Sequence, residues 1–202
     1  MTNRIEIRPA RPDDAPLAAA VFRLSMGAFG EYLMGPDSRA AEIAAMRLFS
    51  SDAGRFGFSL AHVAELNHRP LGMILAFPAK DITRLNLSVV KFLPRAFGWN
   101  VFGFAARTLA LANVKEAEAD EFYISNIAVL PAAQGQGLGK RLLLHAGEMA
   151  RTLKLKKVSL MVALENKNAQ RVYKRNGYNI VFTKTDDKNP FANYHRMVKK
   201  VW

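Results

Sequence analysis

The sequence predicts an α/β protein built on one mixed sheet, and three observations lead to this fold class. The chain has 202 residues, half of them hydrophobic, which suits one domain with a sizeable core. Two apolar runs, 58–66 and 71–77, flank the turn-forming sequence NHRP, which is typical of an antiparallel hairpin. From residue 122 onward apolar strands alternate with amphipathic helices, which implies parallel pairing through a crossover.

The first elements follow from simple patterns. Residues 4–8 (RIEIR) alternate polar and apolar side chains, as a half-buried strand does. Asp13 or Asp14 can cap a first helix, which we expect to break within the sequence GEYLMGPD at 30–37. A second helix is predicted over 38–49, with Ile43, Met46 and Phe49 on one side.

About forty residues, 78–120, then separate the predicted hairpin from the next strand. Their aromatic residues predict one or two buried or amphipathic helices, and 108–119 (TLALANVKEAEA) is rich in good helix formers. Three roles are open for this segment: a lid, a subunit contact, or an extension of the core.

A glycine-rich loop at 134–139 is the most informative motif of the chain. A strand over 122–130 is ended by Pro131, and a helix over about 137–153 follows at once. The intervening glycines, Gly135, Gly137 and Gly139, allow backbone N–H groups to approach a bound group closely. The same place receives the positive end of the helix dipole, so the pattern predicts a phosphate-binding loop. It matches neither the Walker loop nor the dinucleotide fingerprint.

A second motif lies downstream, after a predicted fifth strand over 157–164. The sequence ENKNAQRVYKRNGY at 165–178 reads as a short helix capped by Asn166 or Asn168 and ended by Gly177. Strands over 178–184 and 193–201 complete the expected sheet. The buried face of the preceding helix is predicted to hold Leu138, Leu142, Met149 and Leu153.

The two motifs together resemble those of the GNAT superfamily of N-acetyltransferases. The matching features are Gln-x-x-Gly-x-Gly after a strand that ends in proline, and then Asn166, Ala169, Tyr173, Gly177 and Tyr178 at the family's spacing. The match covers about 122–182 well and the remainder only through the order of elements. The resemblance implies one GNAT-like domain over 1–202, with a helical insertion at about 78–120 between the third and fourth strands.

The resemblance also implies acetyl-CoA as co-substrate and assigns residues to it. The loop backbone would hold the pyrophosphate, the edge of the fourth strand would pair with the pantetheine arm, and the second motif would contact that arm. The residues so implied are Ile127, Ala128, Val129, Gln134, Gly135, Gln136, Gly137, Leu138, Gly139, Lys140, Asn166, Ala169 and Tyr173.

Tyr173 also occupies the family's general-acid position. A phenol of pKa about 10 is a weaker acid than a thiol of about 8.5, so protonation of the leaving thiolate is uphill by roughly 1.5 units. For the general base the candidates are Glu31, approaching from the helix side, and a water relayed through Ser125 or Asn126. By the same resemblance Phe29, Glu31, Tyr32 and Met34 would touch the acceptor; without it they are ordinary loop and core residues.

Charge and composition narrow the function further. The net charge is +12, and residues 140–202 carry 15 lysines and arginines against four acidic residues, a net +11. This half would favour a polyanion such as coenzyme A, although nucleic acid is an alternative. The chain has no cysteine, which excludes a disulfide, a thiol nucleophile and a zinc–thiolate site. We expect no membrane span, because the apolar run near 92–114 is interrupted by charges. We also expect no metal and a cytoplasmic location.

The predicted reaction is therefore transfer of an acetyl group to a primary amine by direct attack. Transfer of another acyl group, or acylation of oxygen, remains open within the same class. The missing carboxylate base on the central strands favours a second possibility, a non-catalytic acyl-CoA sensor or interaction module. The acceptor is a small-molecule or peptide amine of unspecified identity, and a homodimer is open.

Overall fold

A seven-stranded mixed sheet forms the centre of the protein, as seen in a computed structural model that describes residues 5–35, 37–109, 114–186 and 193–202. The strand order is β1-β2-β3-β4-β5-β7-β6. Neighbouring strands are antiparallel except β4 and β5, which are parallel. The strands are β1 (Ile5–Pro9), β2 (Ala61–Leu66), β3 (Arg69–Pro78), β4 (Glu121–Val129), β5 (Lys157–Ala163), β6 (Asn179–Lys184) and β7 (Tyr194–Lys200). The predicted mixed sheet is confirmed.

Helices cover both faces of this sheet. One face packs against α1 (Ala15–Met34) and α2 (Ser38–Ser50), and the other against α6 (Leu138–Thr152). The segment between β3 and β4 contributes α3 (Ile82–Val89), α4 (Leu93–Phe97) and α5 (Val101–Leu109), and α7 (Lys167–Arg175) follows β5. None of the helices in the described part of the chain combines the length and apolar character that a bilayer crossing needs.

The first helix ends within the predicted break at 30–37, because α1 stops at Met34 and α2 begins at Ser38. The helix also has a kink that was not predicted, at Gly27, whose φ of +52° and ψ of −137° are not helical. Glycine permits this conformation because it has no Cβ. The kink redirects the last two turns of α1, so Glu31 and Tyr32 belong to a helix and not to a loop.

The segment between β3 and β4 also differs from the prediction. It forms three short helices, where one or two were expected, because Pro94 begins α4 and Gly98, at φ +54°, ends it. The helix-prone sequence 108–119 is helical at Thr108 and Leu109, where α5 ends, whereas 114–118 has no regular structure. Residues 110–113 of that prediction lie outside the described residues.

Two smaller expectations need correction. The hairpin strand β2 begins at Ala61, because residues Phe58–Leu60 form a 3-10 turn. Leu153, predicted to be buried, is 49% exposed because α6 ends just before it, whereas Leu138 and Leu142 are buried as expected.

Candidate active site

The glycine loop lies between the end of β4 and the start of α6, as the sequence predicts. Gly135 and Gly137 have φ angles of +79° and +88°, a region that side chains with a Cβ rarely occupy. Gln134 Nε2 donates to the carbonyl oxygen of Val129 at 3.2 Å, and Gln136 Nε2 donates to that of Ala132 at 3.3 Å. The two glutamine side chains therefore brace the loop from within and leave its backbone as the binding surface.

The start of α6 adds a second feature that favours an anion. Its first turn holds Lys140 and no acidic residue, although cations are unfavourable at the positive end of a helix dipole. A cation at this position is favourable when a bound anion offsets the repulsion between its charge and the positive end of the helix dipole. An imagined Cβ on Gly135 meets no atom within 4 Å, so the loop has open space above it. These observations fit a pyrophosphate group.

The two central strands separate next to this loop. β4 pairs with β5 only from Glu121 opposite Lys157 to Ile124 opposite Leu160. Beyond that point β5 stays with β7, while β4 stays with β3 as far as Val129. The β4 edge at 125–129 that faces β5 is therefore open to an added extended chain. Ile127, Ala128 and Val129, the residues predicted to pair with the pantetheine arm, lie on this edge and are half-buried.

A β-bulge marks the point where the strands part. Leu75 pairs with Asn126 and Ala76 pairs with Ile124, so Ser125 is the extra residue of β4. Bulges bend a strand and redirect its side chains, and they are frequent beside active sites. This bulge places Asn126 on the α1 side of the sheet, where its amide reaches Ser25.

The second motif flanks the same opening. Asn166 caps α7, because its Oδ1 accepts a hydrogen bond from the backbone N–H of Ala169 at 3.0 Å. The cap uses the amide oxygen, so the Nδ2 group is the donor that could serve a ligand. Tyr173 lies on α7 with its ring 6.1 Å from that of Tyr178. Burial raises the pKa of Tyr173 to about 12, so the phenol stays protonated at neutral pH.

The candidate bases have very different settings. Asn126 is 4% exposed; its Nδ2 donates to Ser25 Oγ at 2.9 Å and its Oδ1 accepts from Ser125 Oγ at 3.1 Å. An amide so held can orient neighbours but does not accept a proton. Glu31 is exposed and lines a cavity of about 930 Å³ between α1, α2 and the Arg107 side chain. In the part of the chain that the structure describes, no hydrogen bond or ion pair joins it to Asn126.

One polar cluster at this site has no counterpart in the sequence analysis. Arg55 forms two hydrogen bonds with Glu116, at 2.8 and 2.6 Å, and its Nη2 also donates to Ser125 Oγ at 3.2 Å. Both partners are largely buried. Arg55 thus ties the segment before β4 to the bulge. Glu116 and Ser125 lie 61 and 70 positions after Arg55. No local pattern pairs residues so far apart, so only the tertiary structure reveals these contacts.

The profile of the acetyltransferase (GNAT) family matches residues 20–178. The chain belongs to this family. It is an acetyl-transferring enzyme, and the family uses acetyl-CoA. No curated protein matches it at the level of sequence. The family resemblance read from the two motifs is confirmed.

Solved structures agree with this assignment in fold. An N-acetyltransferase from Staphylococcus aureus Mu50 superposes with a TM-score of 0.70 at 21% identity, over 96% of this chain and 99% of the other. A structure described only as an acetyltransferase gives 0.69 at 21%, over 98% and 100%. The N-acetylglutamate synthase from Neisseria gonorrhoeae, complexed with coenzyme A and N-acetyl-glutamate, gives 0.54 at 18%, over 100% of this chain and 36% of the other.

The Arg55–Glu116 pair is expected to make the free energy of unfolding of this acetyltransferase depend on pH. Burial alone would raise the pKa of Glu116, but the Arg55 charge and hydrogen bonds outweigh burial and hold the pKa below its usual value. A carboxylate with a depressed pKa stabilises the fold at pH values above its unfolded pKa, and this contribution is lost as the pH falls through the folded value. We expect Glu116→Gln to lower the free energy of unfolding at pH 7 by roughly 1–3 kcal/mol.

Urea unfolding of wild type and Glu116→Gln at several pH values tests this prediction. The difference between the two proteins should shrink as the pH falls below about 4.5. Glu118→Gln is a matched control, because the Glu118 side chain is 42% exposed and its ion pairs, with Lys115 at 2.8 Å and with Arg196 at 3.6 Å, should contribute little. A Glu116→Gln penalty that persists unchanged at low pH would contradict the assignment.

Proposed function

We propose that this protein is an N-acetyltransferase that transfers the acetyl group of acetyl-CoA to a primary amine by direct attack. The observation that carries the proposal is the open edge of β4, which runs from the bulge at Ser125 to the glycine loop. Such an edge receives an extended arm by strand addition, and the loop lies at its end with N–H groups for the phosphates. That the synthase from Neisseria gonorrhoeae was solved with coenzyme A supports this use of the fold.

Acetyl-CoA supplies an activated thioester when bound. On this proposal the loop backbone from Gly135 to Lys140 binds the pyrophosphate, and 127–129 orient the pantetheine arm. Asn166, whose oxygen is used in the helix cap, donates its Nδ2 hydrogen to the arm. An N–H of the open β4 edge donates to the thioester carbonyl oxygen, an interaction worth ~2.7–4 kcal/mol in other acyl-transfer enzymes.

Tyr173 holds the proton that the departing thiolate requires. With a pKa of about 12 it is a weaker acid than an unperturbed phenol, so the transfer to a thiolate of pKa about 8.5 is uphill by roughly 3.5 units. This pKa difference is larger than the roughly 1.5 units expected for an unperturbed phenol. The difference narrows for a thiolate in the same buried site, because burial also disfavours the charged thiolate and raises its affinity for a proton.

The amine must lose a proton, and the described residues favour a water for this role. Ser125 and Asn126 form a chain of hydrogen bonds from Arg55 to Ser25 at the bulge, and a chain of this kind can orient a water that takes the proton. Glu116, which approaches Ser125 through Arg55, stays ionised but is a weak base because its pKa is low. Glu31 is the alternative for an acceptor that extends into the α1–α2 cavity.

The alternative from the sequence, a non-catalytic acyl-CoA sensor, stands against the family assignment to acetyl-transferring enzymes. It is favoured by one observation: the carboxylate beside the bulge, Glu116, is engaged by Arg55 and so is a poor base.

Nucleic-acid binding rests on charge alone. We place the protein in the cytoplasm as one domain, with a small-molecule or peptide amine as the acceptor.

A panel of amines incubated with acetyl-CoA, with release of the free thiol as the readout, tests the proposed function. We expect turnover on at least one primary amine, and tight acetyl-CoA binding in calorimetry that weakens with salt. Binding of acetyl-CoA without turnover on any amine would favour the sensor. Nanomolar, sequence-selective DNA binding at physiological salt would favour the nucleic-acid function instead.

A further inference from the structure

The helices between β3 and β4 carry apolar side chains on both of their sides. In α3, Leu85 and Val89 point into the core, while Leu87 is 68% exposed and Val90, at the end of the same helical run, is 58% exposed. At 100° per residue, Leu87 and Val90 lie 120–180° away from the buried side. These two side chains therefore point directly away from the protein.

The helical run that contains α5 repeats this arrangement. Phe104 is buried, whereas Trp99 is 92% exposed and Phe102 is 73% exposed. Trp99 and Phe102 are three residues apart and lie on the side opposite Phe104. Large apolar side chains that cluster on a surface mark an interaction site, and helices apolar all round are normally covered on both sides.

Charge indicates what covers this surface. Residues 82–109 contain four basic residues and no acidic residue, and Asp81, just before them, pairs with Arg84 at 3.4 Å. Arg84 and Lys91 are exposed and lie three residues before and four residues after Leu87, so they share its side of the helix. Arg95 follows Lys91 by one further turn. We name the exposed set Arg84, Leu87, Val90, Lys91, Trp99 and Phe102 the insertion face.

An anionic lipid surface fits the insertion face better than a second copy of the chain does. A symmetric dimer through this face would bring its cations against one another, and the neighbouring carboxylate, Asp81, is already paired with Arg84 of its own chain. An anionic bilayer supplies the opposite charge, accepts tryptophan and phenylalanine at the headgroup boundary, and needs no spanning helix. We propose that the insertion face docks the enzyme on anionic phospholipid membranes. The proposal goes beyond acetyl transfer and does not depend on it.

Fluorescence gives a direct test, because the chain has only two tryptophans, Trp99 and Trp202. In a Trp202→Phe protein, emission reports Trp99 alone. We expect it to shift to shorter wavelength with phosphatidylcholine vesicles that contain phosphatidylserine, and to shift far less with pure phosphatidylcholine or at high salt. A Trp99→Phe protein, which reports Trp202, should show no shift.

Vesicle flotation with paired variants identifies the surface that binds. Trp99→Ser with Phe102→Ser should reduce association by at least about tenfold, whereas Val181→Ser, at a 51% exposed position of β6, should not. Neutralising Arg84, Lys91 and Arg95 to glutamine should reduce it by about 100-fold. The matched triple on α7, Lys167→Gln, Arg171→Gln and Lys174→Gln, should have a smaller effect. All variants are surface changes and should keep the melting temperature of the parent.

Three outcomes would overturn the proposal. The first is an unshifted Trp99 emission on anionic vesicles. The second is an equal loss of flotation from the α7 triple, which would indicate general attraction of a basic protein. The third is a concentration-dependent dimer in sedimentation that Trp99→Ser with Phe102→Ser dissolves, in a protein that does not bind vesicles; the insertion face would then be a subunit contact.

Discussion

Replacing Tyr173 by phenylalanine is expected to lower kcat by about 10²- to 10⁴-fold, the usual contribution of a general acid, and to leave acetyl-CoA affinity within a few-fold. Phenylalanine keeps the ring that packs beside Tyr178 and removes only the hydroxyl. The fold should therefore survive, and the loss should fall on kcat more than on KM. Steady-state kinetics on the amine found in the panel, with calorimetry for acetyl-CoA, measure both quantities.

Tyr178→Phe is the matched control for this experiment. Tyr178 is 1% exposed, and within the described residues its hydroxyl has no hydrogen-bond partner. Removing a buried, unpaired hydroxyl is neutral or stabilising and should not change kcat. Equal losses in the two variants, or kcat near the parental value in Tyr173→Phe, would show that Tyr173 only packs.

The pH profiles of wild type and Tyr173→Phe are expected to differ in height and not in shape. A general acid works while protonated, so its activity is present below its pKa and is lost as the pH rises through it. With the pKa of Tyr173 at about 12, the limb due to this residue lies above the range in which most proteins stay folded. Between pH 6 and 10, roughly the range set by ordinary His and Lys titration, kcat of Tyr173→Phe should therefore be lower by the same factor at every pH. The shape of its pH profile should be that of the wild type.

Gly137→Val should lower acetyl-CoA affinity by at least about 100-fold, the worth of two charge-assisted hydrogen bonds. Among the described residues the added Cβ would meet only Ile5 Cδ1, at 3.8 Å, so the free enzyme has room for this atom. The side chain would instead stand in the space from which the phosphates must approach the loop backbone. Calorimetry with acetyl-CoA measures the loss directly.

Backbone strain must be separated from this steric effect. Gly137 has a φ of +88°, and a residue with a Cβ pays about 1–2 kcal/mol there. Gly98→Val is a suitable control, because Gly98 has a φ of +54° and open space but lies between α4 and α5, outside the loop. The control should lose stability without losing affinity. Unchanged acetyl-CoA affinity in a folded Gly137→Val protein would remove the phosphate-binding role from the loop.

Local sequence determined the parts of the site that depend on backbone chemistry. The alternating glycines, the proline that ends β4, and the asparagine that caps α7 each act within a few residues. Their conformational effects are therefore nearly independent of the rest of the fold. The strands were recognised for a similar reason, because the period of buried positions is fixed by geometry. These local signals were enough to predict the fold class and the family.

Only the tertiary structure decided the long-range contacts. The ion pair between Arg55 and Glu116, and its contact with Ser125, depends on how the segment before β4 folds back over the sheet. Glycine permits the kink at Gly27 but does not by itself require one, so the position of this kink could not be predicted from the sequence. Trp99 and Phe102 are among the aromatic residues that predicted buried or amphipathic helices, and their exposure could not be predicted because an apolar side chain carries no local sign of which side of its helix is covered. Burial depends on the packing of the whole folded chain, and in this fold Trp99 and Phe102 lie on the surface.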